Sequence, residues 1–112
     1  MFNNKIYGLT KGQYSPTSEL GKVSKTSPYG TVDWPFNSIK LAAGSGATFV
    51  ARSIDREPKH LQEMITRASK HNGAAFIEVY QNCPIFNDGA HAHLTEKDVK
   101  HDNVIVMEHG KP

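Results

Sequence analysis

Residues 3 to 13 read Asn-Asn-Lys-Ile-Tyr-Gly-Leu-Thr-Lys-Gly-Gln, and this run carries the clearest chemistry in the chain. Mg²⁺ takes about six oxygen ligands in near-octahedral geometry and typically bridges phosphates to one or two protein groups. The side-chain amide oxygen of Asn4 and the backbone carbonyl of Ile6, two residues later, can fill adjacent corners of such an octahedron. Gly8 allows close approach of the backbone to a ligand. Thr10 offers a hydroxyl to a phosphate oxygen, and Lys11 a cation near an anionic ligand. On spacing alone, a solvated loop opened by an Asn-Asn turn explains the same residues, since oxygen patterns this short are common.

Other chemistry-bearing residues are sparse. Cys83 is the single cysteine, which excludes an internal disulfide framework. A lone cysteine of this kind is most often a small buried hydrophobe. His91 and His93, with His101 nearby, offer imidazole nitrogens to Zn²⁺ or Ni²⁺, but without a conventional ligand spacing they read as a solvated histidine-rich turn. Gly44-Ser45-Gly46 follows a helical pattern and precedes a strand, the reverse of a phosphate-binding glycine turn. Lys11, Lys22 and Lys25, interleaved with Tyr14 and Tyr29, suggest a basic aromatic surface for single-stranded RNA. The formal charge of +2 argues against that alternative. No Ser-His-Asp or Cys-His constellation is apparent.

These residues must be positioned by a chain of 112 residues, 38% hydrophobic and 21% charged, with room for one modest core. No apolar run reaches the roughly eighteen residues a membrane span needs, and Met1-Phe2-Asn3-Asn4 lacks the features of a signal peptide. Cytoplasmic localisation is the expectation, with neither nucleic acid nor membrane as partner.

Residues 1–35 are rich in Gly, Ser, Thr and Pro without apolar periodicity, and read as a long loop. Tyr7, Leu9, Tyr14, Tyr29 and Trp34 favour an ordered loop over a floppy arm. Residues 36–82 alternate helix and strand. Phe36 to Ala43 suits a short helix started near Pro35 or Asn37 and ended by Gly44-Ser45-Gly46. Ala47 to Arg52 reads as a buried parallel strand. A helix from about Pro58 to Asn72 follows, capped by Asp55 or Glu57 and closed by Gly73, with Leu61, Met64, Ile65 and Ala68 on one face. Ala75 to Tyr80 is the next strand, completing a right-handed βαβ unit. Residues 83–112 form a polar tail in which Val104 to Met107 is a short final strand.

Four blocks, in order along nearly the whole chain, resemble one family. They are NNKIYGLTKGQYSPTS at 3–18, TSPYG at 26–30 with Pro35-Phe36-Asn37, GATFVAR at 46–52, and YQNCPIFN at 80–87. The chain is similar to the thiamine-diphosphate-binding beta subunit of 2-oxoacid:ferredoxin oxidoreductases, particularly those acting on 2-oxoglutarate. The resemblance implies an α/β fold: the C-terminal half of a thiamine-diphosphate-binding fold, a parallel sheet with flanking helices and a long N-terminal cofactor loop. It implies that Asn4 binds Mg²⁺ through its side chain and Ile6 through its carbonyl. Tyr7, Gly8, Leu9 and Thr10 would face the diphosphate, and Lys11 would attract the 2-oxoacid carboxylate.

Cys83 would be one of four thiolates of a [4Fe–4S] cluster. The family's anionic Mg²⁺ ligand, in a Gly-Asp-Gly-type turn, would lie before Asn3, and the chain reads as cut short at both ends. The implied activity is oxidative decarboxylation of a 2-oxoacid to an acyl-CoA, with electrons passed to ferredoxin. An alpha subunit, ferredoxin and coenzyme A are the implied partners. Alone, the fragment would be inactive and prone to self-association. The alternative is a non-catalytic remnant that docks on an alpha subunit, or the RNA-binding module above.

Overall fold

The computed structural model describes residues 1–111. In chain order its elements are β1 (Phe2–Asn3), β2 (Ile6–Tyr7), β3 (Gln13–Tyr14), α1 (Ser38–Gly44), β4 (Phe49–Ile54), α2 (Pro58–Lys70), β5 (Ala75–Tyr80), α3 (Ala92–Thr95) and α4 (Lys97–Asn103).

The two six-residue strands carry the molecule. β4 and β5 pair in parallel from Phe49 opposite Ala75 to Ile54 opposite Tyr80. A parallel pair needs a crossover, and α2 supplies it. Pro58 opens α2, where its missing N–H costs nothing, and Arg67 and Lys70 lie in the last turn, where cations suit the helix dipole. Glu57 occupies the cap position without a side-chain capping bond. Leu61, Met64 and Ala68 are half-buried, whereas Ile65, expected on the same face, is 53% exposed. The sheet's third strand is β1, parallel to β5, giving the order β1-β5-β4. The βαβ unit and the parallel sheet flanked by helices are as expected from the sequence.

Side-chain alternation assigns the faces. Ser53 Oγ lies 2.9 Å from His60 Nδ1 on α2, so Phe49, Ala51 and Ser53 face that helix. Glu78 accepts from Ser38 of α1 at 2.7 Å, so the opposite face, with Arg52 and Glu78, meets α1. α1 begins at Ser38 because Asn37 accepts from the Lys40 amide as a helix cap. The Phe36 amide donates instead to Pro16 O, outside any helix.

Residues 4–37 are ordered by polar contacts. Ser15, Thr17, Ser18 and Thr31 are buried. Ser18 Oγ donates to Lys5 O at 2.7 Å, and Thr31 Oγ1 to Glu19 O at 2.6 Å. Gly30 is required where it stands: its φ is +89°, and a Cβ there would lie 2.7 Å from Gly21 O. Among the described residues only Ile6, Ile54 and Val79 are buried hydrophobic residues. The radius of gyration, 15.3 Å, exceeds the roughly 13 Å expected of a compact chain of this length.

The tail corrects one expectation. Val104 to Met107 forms no strand. The preceding residues fold as α4, whose Lys100 pairs with Glu57. Val104 has extended backbone, but Ile105 and Met107 are exposed, across a cleft of about 740 Å³ from β4. A β-branched run becomes a strand only where a partner completes its ladder. None lies alongside this one among the described residues.

Candidate functional site

Asn3, Ile54 and Tyr80 stand level in the register, so all three parallel strands end on one line. Open α/β sheets bind ligands in the crevice beyond these carboxyl ends. The Asn4–Gln13 segment leaves the sheet there, directly from β1.

The segment folds back on itself. β2 pairs antiparallel with β3, Ile6 opposite Tyr14 and Tyr7 opposite Gln13. The turn between them is closed by Lys11 N–H to Gly8 O at 2.9 Å and Gly12 N–H to Tyr7 O at 3.0 Å. Lys11 and Gly12 adopt positive φ, 62° and 105°, which reverses the chain sharply. Ile6 buries its side chain and anchors the base of the hairpin. Tyr7, Leu9, Thr10 and Lys11 are exposed around the turn, and Thr10 Oγ1 lies 3.4 Å from Tyr7 O. The sequence-predicted residues 4–11 are thus gathered into one projecting hairpin.

Asn3 fixes its base. Asn3 Nδ2 donates to Glu78 at 3.0 Å, while its Oδ1 accepts from Lys5 N–H at 3.0 Å and Thr17 Oγ1 at 2.8 Å. Glu78 is only 2% exposed. It also accepts from Ser38 and from Arg52 Nε, each at 2.7 Å. Burial alone raises its pKa, but the hydrogen bonds from Ser38, Asn3 and Arg52, with the Arg52 charge, outweigh burial and hold the carboxyl below the usual range.

Two residues offer oxygen donors to a cation. Asn4 is half-buried, and its Oδ1 accepts one long bond, 3.3 Å, from Ile6 N–H, leaving a lone pair. With the Ile6 carbonyl it makes a pair of neutral, hard oxygen donors. That set fits Mg²⁺ whose remaining ligands are phosphate oxygens and other groups.

Cys83 sits in the adjoining turn, half-buried and unbonded to other cysteines. Asn87 N–H donates to Cys83 O at 2.9 Å and closes this turn. The Asn87 side chain then crosses to the hairpin and donates to Asn4 O at 2.9 Å. Phe86 packs under the hairpin, 3.8 and 3.5 Å from where Cβ atoms on Gly8 and Gly12 would lie. The cysteine turn and the Asn4 loop are therefore one unit. Among the described residues no group of three His, Cys, Asp or Glu side chains could hold a metal by itself. One thiolate of four is what Cys83 can contribute to a cluster.

The histidines separate, and His91 departs from the expected solvated turn. It is 3% exposed, stacks on Tyr80 with centroids 4.5 Å apart, and its Nε2 lies 3.2 Å from Asn3 O. Burial, foremost, lowers its pKa below the ordinary value. Neutral, it donates from Nε2 and braces β1. His93 and His101 are exposed. Lys22 Nζ donates to Asn87 Oδ1 at 2.8 Å and Tyr14 Oη to Asp33 at 3.4 Å, so both side chains are engaged within the chain.

Sequence reasoning missed Asn3, Glu78, Asn87 and His91 as supports. Glu78 had a signal, a charge in the middle of an otherwise apolar strand. Asn87, within YQNCPIFN, carries no sequence signal of its own.

An all-parallel α/β sheet with an oxygen-rich loop at its carboxyl edge defines a phosphate- or cofactor-binding domain of the open-sheet class. Residues 1–79 match the family described as thiamine pyrophosphate enzyme, C-terminal TPP binding domain, and the chain belongs to it. It is 53% identical over its whole length to 2-oxoglutarate oxidoreductase subunit KorB of Mycobacterium tuberculosis, spanning 30% of that protein. It is 51% identical over 86 residues to the 2-oxoacid:ferredoxin oxidoreductase subunit beta of Saccharolobus solfataricus, covering 77% of this chain and 28% of that one. In structure, 97% of the chain superposes with a TM-score of 0.80 and 37% identity on 36% of a chain of 2-oxoglutarate:ferredoxin oxidoreductase from Magnetococcus marinus, determined with 2-oxoglutarate, coenzyme A and succinyl-CoA bound. The chain thus spans about a third of the length of these relatives. None of its described helices is long and apolar enough to cross a membrane.

Proposed function

We propose that these residues form part of the beta subunit of a 2-oxoacid:ferredoxin oxidoreductase, with 2-oxoglutarate as the substrate. The observation that carries this reading is the Asn4–Gln13 hairpin at the carboxyl edge of the sheet, braced to the Cys83 turn. The 53% identity to a 2-oxoglutarate oxidoreductase subunit across all 112 residues supports the choice of substrate.

In this reading Asn4 Oδ1 and the Ile6 carbonyl would hold Mg²⁺, and Tyr7, Gly8, Leu9 and Thr10 would face the diphosphate end of the cofactor with backbone amides and a hydroxyl. Bound thiamine diphosphate supplies the electron sink for decarboxylation. Lys11 stands at the hairpin's outer corner, where its ammonium attracts the 2-oxoacid carboxylate. Cys83 would provide one of the four thiolates of a [4Fe–4S] cluster, a group that supplies single-electron transfer when bound, with ferredoxin as the acceptor. Coenzyme A accepts the acyl group, and an alpha subunit contributes the rest of the site. The 112 residues supply one of the cluster's four thiolates, so activity belongs to the assembly and not to this segment alone.

The test is catalytic. The complete subunit carrying these residues, copurified with its alpha subunit, should reduce methyl viologen when given 2-oxoglutarate, coenzyme A, Mg²⁺ and thiamine diphosphate. Pyruvate as the preferred substrate would overturn the 2-oxoglutarate assignment. No reduction with any 2-oxoacid, from a complex whose cofactors are loaded, would overturn the whole reading.

A further inference from the structure

We propose that Asn87 is a positioning residue that sets the Mg²⁺ ligands and the Cys83 turn together, as one preorganised unit; this rests on the function proposed above. Asn87 is 5% exposed, and each of its polar groups is used. Its backbone N–H closes the cysteine turn on Cys83 O, and its backbone oxygen accepts from Ala90 N–H at 3.3 Å. Its side-chain Oδ1 accepts from Lys22 Nζ at 2.8 Å, and Nδ2 donates to Asn4 O at 2.9 Å. One short side chain thereby joins three segments, two of them 83 residues apart in sequence.

The Asn4 peptide is the point that needs holding. Lys5, next in the chain, has φ +56°, a conformation that non-glycine residues keep only when their surroundings enforce it. The enforcing bonds surround it: Asn87 on Asn4 O, Asn3 Oδ1 on Lys5 N–H, and Ser18 Oγ on Lys5 O. The left-handed step at Lys5 leads from the Asn4 side chain to the Ile6 carbonyl, the two oxygens assigned to the cation. Asn87 is the member of this set that also belongs to the cysteine turn.

The side chain is specific in length and polarity. Aspartate would keep the Lys22 contact but turn a carboxylate oxygen toward Asn4 O, which can only accept. Alanine would leave Asn4 O without its buried donor. Supports of this kind, one bond removed from a metal ligand, typically change metal affinity by about 10–100-fold when lost.

The experiment uses the holo-complex and three variants, Asn87→Ala, Asn87→Asp and, as a control away from the unit, Lys59→Met. Mg²⁺ is titrated into apo-complex at fixed thiamine diphosphate, with cofactor binding read by calorimetry, and the reduced cluster is recorded by electron paramagnetic resonance. Both Asn87 variants should need about 10–100-fold more Mg²⁺ and show an altered cluster spectrum, while Lys59→Met, at an exposed position on α2, stays within about twofold of wild type. Asn87→Asp, matched in size, carries the result if Asn87→Ala does not fold. Folded Asn87 variants with unchanged Mg²⁺ requirement and an unchanged spectrum would overturn the proposal while wild type still binds both cofactors. A wild type that shows no Mg²⁺-dependent cofactor binding would overturn the functional reading, and this one with it.

Discussion

Replacing Glu78 with alanine should be among the most damaging single changes in the domain. Its carboxylate, 2% exposed, accepts from Asn3 Nδ2, Ser38 Oγ and Arg52 Nε at 3.0, 2.7 and 2.7 Å. Asn3 and Ser38 are themselves buried, so truncation strands two donors, at about 1–3 kcal/mol each. Arg52, whose side chain is 42% exposed, can turn to water and loses little. The expected loss is therefore about 2–6 kcal/mol, a large part of the roughly 5–15 kcal/mol that holds a typical domain folded. Glu78→Gln keeps one acceptor oxygen for Asn3 and Ser38 but sets an amide against Arg52, and should cost about 1–2 kcal/mol. Urea titration followed by circular dichroism reads both, with the slope checked for constancy. A Glu78→Ala protein less than about 1 kcal/mol below wild type, with unchanged slope, would refute the claim that this carboxylate knits β1, β4, β5 and α1 together.

Acid should destabilise the fold in two stages. His91 has a folded pKa below its unfolded one, so its contribution is present above about pH 6.5 and is lost as pH falls below that value; Glu78, also lowered, holds its contribution above about pH 4.3 and loses it as pH drops through its folded pKa. Melting temperature against pH from 3 to 8 should show both, and His91→Phe should remove the upper stage. Asn4→Ala should weaken Mg²⁺-dependent thiamine diphosphate binding by at least about tenfold while leaving the melting temperature of the apo-protein nearly unchanged, measured by calorimetry. Gly30→Ala should cost about 1–3 kcal/mol in a urea titration, because its Cβ meets the Gly21 backbone and its φ is +89°.

The secondary structure was legible where a period existed. β4, α2 and β5 announce themselves through apolar runs and three- to four-residue spacing, and their pairing follows from the length of the crossover. The hairpin around Gly8 to Lys11 was not, because two-residue strands have no period; its residues were picked out by their chemistry and by resemblance. Val104 to Met107 misled for the converse reason: β-branched residues signal a strand that pairing must complete. Glu78 was hidden by the strand it sits in, since whether its face meets water or α1 depends on where Ser38 falls 40 residues earlier. His91 belonged to a polar stretch, and only the stacking on Tyr80 turns it inward.

The small number of buried apolar side chains has a thermodynamic consequence. The heat capacity of unfolding grows with exposed apolar surface and shrinks with exposed polar surface. Unfolded on its own, this segment, whose interior is closed by Asn3, Ser15, Thr17, Ser18, Ser38, Glu78, Asn87 and His91, should have a heat-capacity increment below the roughly 12–15 cal/mol/K per residue of globular chains. The stability curve of the segment alone would then be broad and shallow, varying little between cold and warm conditions.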